Sequence, residues 1–139
     1  MAGRLLAGVA VTAALAAVGP ATAASPPILR SATVSRAHVV LELSVGDLRP
    51  AQLTVATRRA VDANGVLLAR NVHWRESILL PATTSAAVRW QSRKTLAPGV
   101  YFVQVTAIET GGVTDCPPKQ LRCDERWSGV HRVVVRTGG

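Results

Sequence analysis

The sequence predicts an all-β protein, a seven-stranded antiparallel two-sheet sandwich over residues 25–139, preceded by a leader at residues 1–24 with a helical apolar segment. Three observations predict it. Stretches such as His38–Gly46 and Gly99–Ile108 alternate apolar and polar residues with period two, the signature of a half-buried strand. Turn signals rich in Gly, Pro, Asn and Asp separate these stretches at regular intervals. No amphipathic helical pattern occurs after the leader. Many short strands without helices ask for two sheets packed face to face.

The leader comes first. Arg4 precedes an apolar run of 14 residues, Leu5–Val18, which Gly19-Pro20 interrupts before the small-residue sequence ATAAS. That is the charged, apolar and cleavage region of a secretory signal, with cleavage after Ala23 or Ala24. A membrane anchor needs roughly 20 apolar residues. No later segment is long enough to span a bilayer, so no stable span is expected after cleavage. The mature chain of about 115 residues fits one domain with a thin core.

The elements follow in order. ASPPILRS reads as an extended, proline-led entry. In HVVLELSVG, Val39, Leu41, Leu43 and Val45 share one face. GDLRP turns the chain. AQLTVATRRAV places Leu53 and Val55 inward and Gln52 and Thr54 outward. DANG, residues 62–65, is a turn because Asn-Gly accommodates positive φ. VLLARNVHW, residues 66–74, reads as extended, and a Thr/Ser-rich link follows Pro81. SAAVRWQS sets Ala86, Val88 and Trp90 on one face. After the Pro98-Gly99 turn, Tyr101, Val103, Val105 and Ala107 form one face; Phe102, Gln104, Thr106 and Ile108 form the other. A loop over 111–128 leads to a last strand in GVHRVVVRT.

Two of these blocks resemble a known family. L-x-P-G-x-Y-x-V-x-V-x-A at Leu96–Ala107 is similar to the penultimate strand of fibronectin type III and related immunoglobulin-like domains. WSGVHRVVV, Trp127–Val135, resembles the approach to their final strand. Both blocks also resemble small secreted actinobacterial proteins. The resemblance implies a tyrosine corner, with Leu96 and Tyr101 flanking the turn and the Tyr101 hydroxyl bonded to its backbone. In one departure, the first long strand lacks the core tryptophan usual in the family; Trp90 is the candidate for that space.

Cys116 and Cys123 are the two cysteines, with six residues between them. Zinc ligands favour C-x₂₋₄-C with further Cys or His, and thioredoxin-like redox sites need C-x-x-C. In an exported chain the simplest outcome is a Cys116–Cys123 disulfide. Metal ligation and free or intermolecular thiols are the alternatives. Such a small loop contributes roughly 2–3 kcal/mol at most, so the bridge serves mainly to shape the loop.

The formal charge is +8, from 14 Arg and 2 Lys against eight carboxylates. Loss of Arg4 with the leader lowers it to +7. Attraction to an anionic envelope polymer is one reading; the coding bias of a GC-rich genome, which also enriches Ala and Val, is the other. No basic run exceeds two residues, and no basic-aromatic strip suggests nucleic-acid binding. G-x-S-x-G, H-E-x-x-H and phosphate-cradling loops are missing. His38, His73 and His131 are far apart in sequence, and no metal or other cofactor is expected.

The expectation is therefore a non-enzymatic module, secreted or associated with the cell envelope, with an interaction or structural role. Its partner would be an anionic envelope polymer or another secreted or surface protein. A basic polymer-binding or carbohydrate-binding protein is the alternative, using Arg58, Arg59, Arg122, Arg126 and Trp127. A small secreted hydrolase is third, since a catalytic triad can assemble from distant strands.

Overall fold

The computed structural model describes residues 26–80, 86–108 and 125–137. Eight strands lie among them: β1 (Ile28–Ser35), β2 (His38–Ser44), β3 (Ala51–Ala56), β4 (Val72–Ile78), β5 (Val88–Thr95), β6 (Gly99–Ile108), β7 (Glu125–Trp127) and β8 (His131–Val135). One sheet has the order β1-β2-β5. The other has β4-β3-β6, and the far edge of β6 is shared between β7 and β8. All pairings are antiparallel. The leader and both cysteines lie outside the described residues. Among the described residues, no helix is long and apolar enough to cross a membrane.

Alternation in the sequence becomes the core. Val39, Leu41, Leu43 and Val45 meet Leu53, Val55, Val103 and Val105 between the sheets, all essentially without solvent access. Each such side chain contributes about 1.5–3 kcal/mol by leaving water. Val133 and Val135 of β8 complete the layer, and Trp74 and Trp90 pack against it half-buried. Trp90 stands opposite Leu41. Leu96 is buried, and the Tyr101 hydroxyl donates to the Ala97 carbonyl oxygen at 2.8 Å.

The eight described strands correct the expected seven, because β7 (Glu125–Trp127) lies within the stretch expected as a loop over 111–128 and pairs with the end of β6. The entry segment is read only in part. β1 escapes period-two reading because its register shifts between Leu29 and Ser31. Leu29, Ala32 and Val34 therefore contact the core at uneven spacing. Its turn is also concealed. Arg36 and Ala37 join β1 to β2 with φ of 52° and 69°, a two-residue hairpin conformation usually built from Asn and Gly.

The extended segment expected at 66–74 is displaced. β4 begins only at Val72, after a loop with a single Val61–Leu67 bridge and a 3₁₀ turn at Ala69–Asn71. Leu67 is buried, although it belongs to no strand. It packs on the outer side of the five-stranded sheet, where its N–H meets the Gln104 side chain.

β5 carries a bulge that links the two sheets. Two steps along β2, from His38 to Val40, face four along β5, from Thr95 to Gln91. The Ser92 hydroxyl fills the gap, accepting from the Val39 N–H at 2.9 Å and donating to the Lys94 carbonyl at 2.6 Å. The N–H groups of Arg93 and Lys94 donate instead to the two Glu76 carboxylate oxygens on β4, at 2.7 and 3.0 Å. One carboxylate thus joins the edge strands of both sheets.

Candidate functional site

The outer face of the five-stranded sheet holds the most developed polar surface among the described residues. Residues opposite each other in register point to the same face. One cross-strand row therefore reads Ser77, Gln52, Thr106, Trp127, and the next reads Arg75, Thr54, Gln104. The loop between β3 and β4 folds over part of this face.

Gln104 fixes that loop. Its side chain has no solvent exposure. Its Oε1 accepts from the Leu67 N–H at 2.9 Å, and its Nε2 donates to the carbonyls of Gly65 and Ser128 at 2.9 and 2.8 Å. The loop also braces itself. Asp62 Oδ1 accepts from the N–H groups of Asn64 and Val66 at 2.8 and 3.1 Å. Gly65 has a φ of 93°, and a side chain there would begin 3.6 Å from the Trp127 indole nitrogen. Trp127 therefore lies against the Asp62–Gly65 turn.

Beside the covered part runs an open groove of about 530 Å³. Gln52, Thr54 and Thr106 line it from the sheet, Asp62 and Val66–Ala69 from the loop, and Arg75 and Glu125 from the flanking strands. Thr54 and Thr106 are only 5% and 8% exposed. Neither hydroxyl has a hydrogen-bond partner among the described residues. Both residues line the groove, so a hydroxyl there without a protein partner is left to bond with whatever occupies the groove.

A second groove of about 360 Å³ runs between the β4 and β5 edges, lined by Arg75, Glu76, Ser77, Leu79, Arg93 and Lys94. The Lys94 ammonium lies 5.6 Å from the Trp74 ring centre and donates to the Arg75 carbonyl at 3.3 Å. Among the described residues, three cations outnumber the one Glu76 carboxylate in this groove.

The residues singled out in the sequence are dispersed. Arg58 and Arg59 are exposed and follow the Ala56 end of β3. Arg126 and Trp127 stand beside Ala107 and Thr106, which adjoin the opposite, Ala51 end of β3. Arg122, Cys116 and Cys123 lie outside the described residues. The three histidines occupy separate surroundings: His38 Nδ1 donates to the Ser92 carbonyl at 2.8 Å, His73 lies 5.8 Å from the Tyr101 ring, and His131 faces Val103 in register. No group of three or more His, Cys, Asp or Glu gathers among the described residues.

Sequence reasoning missed Thr54, Thr106 and Gln104 as functional candidates. Their outward phase was legible, but it looked like ordinary solvent-facing polarity. The available signal was Val66-Leu67-Leu68 directly after the DANG turn, an apolar run able to cover a sheet face. In comparisons with known proteins, no family model, no curated protein and no solved structure matches the chain.

Proposed function

We propose that this chain is a secreted, non-enzymatic β-sandwich of fibronectin type III-like character that acts as an interaction module at or outside the cell envelope. Export rests on the leader sequence. Two features support the subtype. The Tyr101 hydroxyl bonds to the backbone of the preceding turn. In addition, β4 pairs with β3, whereas constant-type immunoglobulin domains place the fourth strand on the sheet of the first two. The observation that carries the interaction reading is the outer face of the five-stranded sheet: a rigid polar floor beside a loop pinned by a buried glutamine. Sites built on strands hold their geometry better than sites on loops.

Co-sedimentation of the mature chain with isolated cell envelopes tests this reading at low and high salt. Binding that persists at high salt is expected for a site built from hydrogen bonds. Absence of binding at both salts would overturn it. The second reading, a binder of anionic envelope polymer, draws on the groove of Arg75, Arg93 and Lys94 and on the net charge of +8. It predicts binding that disappears at high salt, because exposed charges are screened over about 3 Å at 1 M.

A further inference from the structure

We infer that the open groove on the five-stranded sheet is a binding site for a short neutral saccharide, held by the buried hydroxyls of Thr54 and Thr106. The inference rests on the interaction-module reading and names its ligand class.

The contrast with Gln104 leads to it. Gln104 and Thr54 are paired in register on the same face. Under the loop, Gln104 is saturated by three hydrogen bonds to backbone groups. In the groove, Thr54 and Thr106 are nine-tenths buried yet without partners among the described residues. The fold thus satisfies its buried polar groups where the loop covers them and leaves two hydroxyls available where the face is open. Buried polar groups without protein partners call for an external one.

Charge and chemistry select that partner. Among the described residues, Asp62, Arg75 and Glu125 bring charges of both signs to the groove, so it does not share the uniformly basic character of a chain of net charge +8. An anionic polymer is favoured elsewhere on the surface but not here. A threonine hydroxyl both donates and accepts, which matches the dual character of a sugar hydroxyl. The Gln52 amide adds a donor and an acceptor within the same groove. Its volume of about 530 Å³ falls within the roughly 300–1,000 Å³ of small-molecule sites. Because the floor is a paired sheet, little ordering is required on binding.

Isothermal titration calorimetry of the mature chain tests the proposal. Cellobiose, maltose and N,N′-diacetylchitobiose serve as neutral probes, and digalacturonate as the anionic control. Saturable binding of at least one neutral disaccharide is expected, tighter than that of digalacturonate. Thr54→Val and Thr106→Val should each weaken it about three- to ten-fold. Neither should lower the melting temperature, because each hydroxyl lacks a partner in the fold. The proposal is overturned if no neutral probe binds, if the variants bind as the wild type does, or if they melt lower. Envelope co-sedimentation separates the two readings. Binding retained by the double variant removes the groove and leaves the module standing; absence of binding by the wild type removes the module itself.

Discussion

At position 104 a fully buried glutamine joins the β3–β4 loop, β6 and the segment between β7 and β8. Replacement by glutamate keeps the size but turns two donated bonds into repulsion between a carboxylate and carbonyl oxygens. Gln104→Glu should destabilise the domain by about 3 kcal/mol or more at neutral pH, measured by urea unfolding. Tyr101 makes a smaller contribution. Its ring remains in the core in Tyr101→Phe, and only the bond to Ala97 is lost, so a decrease of about 1 kcal/mol is expected in the same assay. These two residues differ in how far sequence reveals them. The role of Tyr101 is local, four positions from its acceptor, and follows from a turn motif. Gln104 depends on a donor 37 positions away, and alternation alone assigns it to an outer face without saying what covers that face.

The strands with the clearest alternation, β2 and β6, were legible because one face of each packs on the other sheet. β1 was not, since its register shift breaks the period and its turn residues carry no hairpin signal. The same turn offers a test. Arg36 is exposed with φ of 52°, a conformation asparagine adopts more readily than arginine. Arg36→Asn should stabilise the domain by about 0.5–1 kcal/mol, seen as a higher melting temperature. The bulge of β5 makes the opposite prediction through β4. Glu76→Gln replaces one of two acceptor oxygens with an NH₂ group facing a backbone donor. A loss of about 1–2 kcal/mol is expected in urea unfolding. That loss should exceed the effect of Glu42→Gln, an exposed position opposite Arg89. No sequence rule announces the Glu76 link, because it depends on two sheet edges meeting at a bulge.

Across the whole molecule, the sandwich separates two kinds of surface. Arg75, Arg93 and Lys94 concentrate positive charge between the β4 and β5 edges, while the groove beside the β3–β4 loop is polar and lined by charges of both signs. Total charge, the quantity most readily taken from the sequence, describes the first surface and misrepresents the second. All-β architecture was readable from periodicity and turns. The site was not, because it arises where a loop expected to be a strand folds over a sheet face. The most direct measurement is an amide ¹H–¹⁵N NMR titration of the mature chain with solubilised envelope fragments at high salt. Shifts gathered on Gln52, Thr54, Arg75 and Thr106, with the 61–69 loop, are the predicted result. Shifts confined to β1, β2 and β5, or no shifts, would contradict the assignment of the five-stranded sheet as the binding face.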